Sequence, residues 1–504
     1  MSRHILRSLP RRKIPVLRRA VQYGALLAFL AFVVAARRGG WPPALVNAPL
    51  RLDPLATLAH LLASRTLLVG SALALITVAL TLALGRAWCG WLCPLGTVLD
   101  LFPIRRTKAA DPPRLDDLRR AKHVLWLTII AAALLGNLTL LFLDPLTLLI
   151  RTIAAALWPA LDQLVTAAER AAYALPALRP VVDWVDGFLR PAVFPAEPLF
   201  YRAPILYALV LAAVIALNGI APRFWCRYLC PLGGLLGWLS KVALVRREVT
   251  ATCIRCDRCA RVCPTGTVRS EREYASDPAE CTMCLECPTA CPVNAIRFPA
   301  RSGLAPRETY DPGRREALAA LGAGILGVGL LRSDRVASRE HPHLIRPPGA
   351  QGDDFAAKCI RCGLCARACP TGAIQPALAE AGVEGFWTPI LIPRLGYCDY
   401  SCNACGRVCP VQAIPPLPLE EKRRAVIGRA YIDRNRCIPW AAGLPCIVCE
   451  EMCPVPEKAI VLEEVPGTGA IQRPHVVAER CIGCGICEYK CPVNGEAAIR
   501  VFAI

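Results

Sequence analysis

Histidine is scarce, with six residues in 504. His4, His60, His123, His341, His343 and His475 all avoid the middle of the long apolar runs, so no pair of axial ligands faces across a membrane helix and haem b is not expected. Each reads as a surface or interfacial residue. No catalytic triad and no glycine-rich nucleotide loop occurs, which moves substrate chemistry onto a partner. Acidic residues are also few, 39 against 59 Lys and Arg, for a formal charge of +20. The basic tracts lack interleaved aromatic residues on which bases stack, which argues against nucleic acid. Charged residues make up 19% of a chain that is 55% hydrophobic, so apolar spans alternate with charged regions. One compact soluble enzyme is excluded.

What the chain has in abundance is cysteine, 28 residues, spaced too regularly for a disulfide framework. Four quartets, Cys253/Cys256/Cys259/Cys263, Cys281/Cys284/Cys287/Cys291, Cys359/Cys362/Cys365/Cys369 and Cys481/Cys484/Cys487/Cys491, share the order Cys-x2-Cys-x2-Cys-x3-Cys-Pro. Two variants, Cys398/Cys402/Cys405/Cys409 and Cys437/Cys446/Cys449/Cys453, widen the first gap to three and eight residues. This is bacterial-ferredoxin spacing: three thiolates wrap one [4Fe-4S] cubane, and the fourth reaches a neighbouring one. Zinc knuckles would stand further apart. Six clusters are therefore expected. Crossed ligation of the first two quartets joins Cys253, Cys256 and Cys259 with Cys291, and Cys281, Cys284 and Cys287 with Cys263. Each oxidised core with four thiolates carries roughly −2, so six of them bring the formal charge to about +8.

Four uncharged apolar stretches precede the quartets: Ala20–Ala36, Thr66–Gly85, Val124–Leu143 and Pro204–Pro222. Each is near the length that crosses a bilayer as a helix. Seven Lys and Arg in the first 20 residues and eight in 86–122, against five basic and six acidic residues in 144–202, place the N-terminus in the cytoplasm. This half repeats itself. Leu52-Asp53-Pro54-Leu55 precedes a span and Trp88-Cys89-Gly90-Trp91-Leu92-Cys93-Pro94, and Leu143-Asp144-Pro145-Leu146 precedes a span and Trp225-Cys226-Arg227-Tyr228-Leu229-Cys230-Pro231. A pseudo-two-fold axis along the membrane normal follows, which brings Cys89, Cys93, Cys226 and Cys230 towards one another as a further iron–sulfur centre, a redox-active dithiol, or small buried residues. Asp53 and Asp144 are expected to cap helices rather than take protons. Trp88, Trp225, Arg86 and Arg223 are expected to anchor at the interface. The insert at about 150–202 is expected as amphipathic helices on the outer surface. Arg314-Arg315-Glu316 and the glycine-rich Ala317–Leu331 read either as a cytoplasmic linker helix or as a twin-arginine export signal retained as a fifth span.

The two Cys-x3-Cys-Pro-Leu-Gly pairs followed by a two-cluster ferredoxin resemble the NapH/MauN quinol-dehydrogenase membrane subunits. The twin arginine, Arg346-Pro347-Pro348-Gly349 and the four later quartets resemble NapG/MauM, the exported polyferredoxin partner, so the chain looks like a fusion of the two. The resemblance implies a multi-pass α-helical membrane domain (1–245), an α+β ferredoxin-like 4Fe-4S module (246–300), a Tat-like segment and linker (301–350) and a four-cluster module (351–504) outside the bacterial inner membrane. By resemblance to four-cluster ferredoxin subunits, nested pairing is expected: Cys359, Cys362, Cys365 with Cys491; Cys481, Cys484, Cys487 with Cys369; Cys398, Cys402, Cys405 with Cys453; and Cys437, Cys446, Cys449 with Cys409. The implied function is oxidation of quinol from the membrane pool and electron transport through the clusters to an exported reductase or cytochrome. Two alternatives stand beside it: a redox-sensing assembly factor for a metalloenzyme, and reverse flow from ferredoxin to quinone.

Overall fold

The computed structural model describes residues 14–38, 41–103, 118–195, 198–300, 313–333, 341–352, 354–464 and 471–504. His4, the basic residues before 14 and the basic 104–117 stretch lie outside these. The chain forms two compact units, each assembled from three segments: Met1–Phe32, Asn47–Leu149 and Leu209–Val328 in the first, and Val33–Val46, Ile150–Ala208 and Gly329–Ile504 in the second.

Two helices are long and apolar enough to cross a membrane, Ile14–Arg37 and Pro145–Tyr173, and shorter apolar helices cover Pro54–Ser64, Gly70–Leu84, Ala121–Leu134 and Pro204–Gly219. The first agrees with the expected span at Ala20–Ala36. The other three expected spans emerge shortened, because the chain leaves the α-helix within them: a 3₁₀ turn at Val69–Leu73 precedes Ala74–Leu84, Ala121–Leu134 ends before a 3₁₀ turn at Thr139–Leu143, and Pro204–Ala216 runs into another at Leu217–Gly219. The insert holds a long apolar helix as well as the shorter Arg179–Ala192, a correction to the expectation of surface helices throughout.

In the first unit the helix Ala121–Leu134 packs on Pro54–Ser64 and on Pro231–Leu239. A Cβ on Gly234 would lie 2.7 Å from the Lys122 carbonyl, so only glycine allows that approach. The helix Arg314–Leu331 runs alongside Ala121–Leu134 in the same direction. Glu316 meets Arg120 at 3.6 Å, the Thr128 hydroxyl donates to the Ala320 carbonyl at 3.4 Å, and Gly324 lies against Ala131. The two-cluster segment closes on a short antiparallel pair, Glu248↔Arg297 and Val249↔Ile296. In the second unit, Arg429–Ile432 pairs with Ile499–Phe502, and hairpins form at Ile374–Pro376/Pro389–Leu391 and Ile460–Glu464/Gln472–Val476.

Asp53 and Asp144 both cap. Asp53 Oδ1 accepts from the Leu55 and Ala56 amides at 2.8 and 3.1 Å, and Asp144 Oδ2 from Leu146 and Thr147 at 3.0 and 3.1 Å. Their other oxygens are buried without an ordinary donor and face one another. Two carboxylates only accept, so one proton held between them makes the bond. Asparagine keeps both the cap and a donor. Asp53→Asn is therefore expected to melt close to the parent, whereas Asp53→Ala loses about 1–2 kcal/mol; thermal unfolding in detergent reads the difference.

Candidate iron–sulfur centres

The regular quartets share a backbone device that the spacing alone does not reveal. The residues on either side of the second cysteine are left-handed: Arg255 and Asp257 (φ 52° and 61°), Met283 and Leu285 (51° and 59°), Arg361 and Gly363 (58° and 79°), and Gly483 and Gly485 (74° and 81°). Alternating hand curls successive amides into a concavity that favours an anion, and non-glycine residues adopt it only where their surroundings impose it. The variant quartets lack it. Asn403 and Ile447, which follow the second cysteine there, have φ −129° and −118°, because a longer first gap lets the chain reach the same turn without reversal.

Donors aim at sulfur throughout. Amides of Ala295, Ala459, Ala430 and Ile414 reach the sulfurs of Cys291, Cys453, Cys481 and Cys409 at 3.3, 3.4, 3.4 and 3.5 Å, and Arg247 Nε reaches Cys287 at 3.3 Å. Burial, reinforced by the neighbouring thiols Cys284 and Cys263, pushes the Cys281 thiol up to about 12. Burial likewise lifts Cys449 to about 12. Deprotonating such thiols needs a cation in the cavity, which bound iron supplies. Among the described residues no three Cys, His, Asp or Glu side chains stand close enough to share one metal ion. Thiols set around a cavity and met by backbone donors fit a cubane better than zinc.

Cys253, Cys256, Cys259 and Cys291 line one cavity, and Cys281, Cys284 and Cys287 gather with Cys263, the crossed sets expected. The nested sets are not formed. Cys359, Cys362 and Cys365 share a cavity with Cys409, and Cys398, Cys402 and Cys405 gather with Cys369. Cys437, Cys446 and Cys449 line a cavity with Cys491, and Cys481, Cys484 and Cys487 with Cys453. The sheet explains the correction. The Arg429–Ile432/Ile499–Phe502 pair encloses the last two quartets as Glu248–Val249/Ile296–Arg297 encloses the first two, so each fourth cysteine stays inside its own module. These four sets stand in file. Cys365 neighbours Cys405, the Cys398 amide donates to the Cys484 carbonyl at 2.8 Å, and Cys487 neighbours Cys449.

The two Cys-x3-Cys pairs converge. Cys93 is acted on by Cys89 and Cys226, and Cys230 by all three others; each thiol is buried. Cys93 and Cys230 sit at the N-terminal ends of the helices Pro94–Leu101 and Pro231–Leu239, with proline at the first helical position. The Gly233 amide reaches Cys230 sulfur at 3.2 Å. Arg86 and Arg223, expected as interface anchors with Trp88 and Trp225, are instead buried with them. Each arginine crosses to the other repeat: Arg223 Nη1 donates to the Cys89 carbonyl at 3.2 Å and Arg86 Nη2 to the Cys226 carbonyl at 3.4 Å. Their equal offset from the first cysteine of each copy was the visible signal. Two buried guanidinium groups beside four thiols suit an anionic centre there. His60 and His123, expected at the surface, are buried as well.

Glu280 was not visible as functional in the sequence. Buried beside Cys281, it meets Lys122, Arg86 Nη1 at 3.5 Å and Arg119 Nη1 at 3.4 Å. Burial raises its carboxyl, but Lys122, Arg119 and Arg86 outweigh that and hold it at about 2. Lys122 moves oppositely for a base, pushed down to about 8 by burial and by Arg86 despite Glu280, because three cations share one carboxylate. The carboxylate's contribution is thus complete above its ordinary value of 4.5 and lost as pH falls towards 2. Glu280→Gln strands the cations and is expected to cost about 3–5 kcal/mol, read as a lower melting temperature at neutral pH. For ligand assignment, Cys491→Ser is expected to perturb the electron paramagnetic resonance (EPR) signal of the Cys437/Cys446/Cys449 centre and leave the Cys359/Cys362/Cys365 centre intact, the opposite of nested pairing.

Family models described as 4Fe-4S binding domains match residues 66–109 and 203–250, which contain the two cysteine pairs, and residues 355–375 and 474–495. The methylamine utilization ferredoxin-type protein MauM of Methylorubrum extorquens is 38% identical over 199 residues, 38% of this chain and 89% of the relative. MauM of Paracoccus denitrificans is 40% identical over 201 residues, 37% and 86% of the two chains. The ferredoxin-type protein NapG of Escherichia coli is 34% identical over 188 residues, 36% and 80%. No solved structure matches the chain. With more than two thirds of these relatives covered by the match, the chain belongs to the MauM/NapG family of ferredoxin-type iron–sulfur electron-transfer proteins.

Proposed function

We propose that the chain is a membrane-bound quinol dehydrogenase of the electron-transport type, taking electrons from the quinol pool and relaying them singly through [4Fe-4S] centres to an exported redox partner. The observation that carries this reading is the convergence of Cys89, Cys93, Cys226 and Cys230, with Arg86 and Arg223 crossed over them. In a ferredoxin-type protein such a site at the ends of apolar helices gives quinol-derived electrons an acceptor near the membrane. Its four thiolates would hold a seventh centre. Six more would be held by the crossed sets of the two ferredoxin-like segments. Each centre, when bound, supplies one-electron exchange; the chain's own residues orient and bury the ligand thiols and donate to their sulfurs. The partner in this reading is an exported reductase or cytochrome.

Placement of residues 351–504 outside the inner membrane rests on two features. The helix Arg314–Leu331 runs parallel to Ala121–Leu134 and begins beside its basic end, at Arg120, so the two cross in the same sense. The 144–202 insert, external by the positive-inside rule, packs within the same unit as the later quartets: Tyr201 donates to the Ala366 carbonyl at 2.9 Å and Arg151 stacks 4.0 Å over Trp387. Glu248–Pro299 remains with the cytoplasmic loops of Arg86 and Lys122.

Anaerobically purified protein is expected to be reduced by menaquinol or ubiquinol, followed by EPR. Replacing Cys89, Cys93, Cys226 and Cys230 with serine is expected to remove iron and abolish quinol reduction while dithionite still reduces the other centres; unchanged iron rules out the seventh centre. In oriented vesicles, protease added to the outer face is expected to cut within 332–504 and spare 246–300.

A further inference from the structure

Both Cys-x3-Cys turns rest on the same part of the two-cluster module. From the first repeat, the Trp91 indole donates to the Met283 carbonyl at 2.8 Å, and the Thr282 carbonyl stands 2.1 Å from where a Cβ on Gly90 would be. Thr282 and Met283 form the gap between Cys281 and Cys284. From the second repeat, Arg227 Nε and Nη2 donate to the Pro264 carbonyl at 3.1 and 2.9 Å, and Pro264 follows Cys263, the fourth member of that same set. Arg18 ties the two sides together, donating to the Gly90 carbonyl at 3.2 Å and to Glu286, the neighbour of Cys287, at 2.7 Å. The Arg223 guanidinium acts on both Cys226 and Cys284. The other set looks elsewhere. Its cavity is lined by Ile254 and Val293, which are 60% and 37% exposed.

We infer that electrons pass between the four-cysteine membrane site and the two-cluster module only through the centre held by Cys263, Cys281, Cys284 and Cys287, and that the centre held by Cys253, Cys256, Cys259 and Cys291 is the outer end of this branch, where a soluble one-electron carrier exchanges. The inference rests on the quinol reading above and adds to it the order of a cytoplasmic branch, beside the flow to the exported partner. Quinol would give up two electrons and two protons, with the electrons leaving one at a time: Cys89, Cys93, Cys226 and Cys230 would hold the group that accepts each electron, the Cys281 set would hold the group it passes to, and the Cys253 set would hold the group from which the soluble one-electron carrier takes it. The contacts of Gly90, Trp91, Arg223 and Arg227 serve to hold the first step close, and these are positioning residues.

Two full-length variants test it. Cys263→Ser with Cys284→Ser removes the inner centre, and Cys253→Ser with Cys256→Ser removes the outer one; iron content and dithionite-reduced EPR establish that the remaining centres are intact. Expected is loss of quinol reduction of the outer centre in the first variant and retained quinol reduction of the inner centre in the second. In the dithionite-reduced parent, spin coupling between the membrane centre and the inner centre is expected, lost in the first variant and weakened in Trp91→Phe, which keeps the ring and removes the donor. Quinol reduction of the outer centre that survives loss of the inner one, or coupling to the outer centre instead, overturns the inference. A parent in which quinol reduces no centre while the spin coupling is present counts against the quinol reading and leaves the order standing.

Discussion

One turn of Cys-x2-Cys-x2-Cys supplies three corners of a cubane, and the fourth must come from elsewhere in the chain. That shortage organises the molecule. It forces quartets to associate in twos, so each ferredoxin-like module must be closed by backbone pairing that carries the borrowed cysteine back. The Glu248–Val249/Ile296–Arg297 and Arg429–Ile432/Ile499–Phe502 pairs are that closure. The same shortage is met differently among the apolar helices, where a turn offers only two thiols and the repeat supplies the second two.

Charge follows the same logic. Thiols gathered by burial and mutual repulsion resist ionisation, so a stable centre needs nearby donors and cations. Backbone amides supply most donors in the soluble modules, through the left-handed residues around the second cysteine. At the apolar helices the compensation comes from Arg86 and Arg223, each reaching across the pseudo-two-fold to the opposite copy. An exchange of contacts of this kind makes neither repeat complete alone. It also binds the fate of the two-cluster module to the helices, since Arg86 shares Glu280 with Lys122 and Arg119.

Cysteine spacing made the ligand sets legible as far as the partners were neighbours in sequence. The crossed gathering of thiols in the first two quartets and the convergence of Cys89, Cys93, Cys226 and Cys230 follow the spacing in one case and the repeat in the other. Nested pairing of the later quartets was read from likeness rather than from the strands that enclose them, and those strands are four residues long, too short to announce themselves. Apolar run length overstated the helices, because it does not register turns such as Val69–Leu73 or Thr139–Leu143. Buried charges were the least visible. Arg86, Arg223 and Glu280 look in sequence like any residue beside an apolar stretch, and only the packing of a module onto a helix end turns them inwards.

The spacing variants show how strictly the geometry is set at the cubane and how loosely before it. The gap between the first and second cysteines stretches from two residues to three and to eight, whereas the last three cysteines keep their spacing in all six quartets. The second and fourth cysteines flank the one-turn helices Ala404–Arg407 and Val448–Glu451, with the third inside, just as they do at Leu364–Ala368 and Ile486–Lys490. A helical turn fixes thiol directions by its period, so insertion there would rotate a ligand out of the cavity. The first cysteine hangs on an extended loop and needs only reach. Where the loop is short it must reverse hand twice around the second cysteine, and where it is long it does not. Tolerance to insertion is therefore a property of the chain leading into each turn, and a long gap before the second cysteine is compatible with a complete centre.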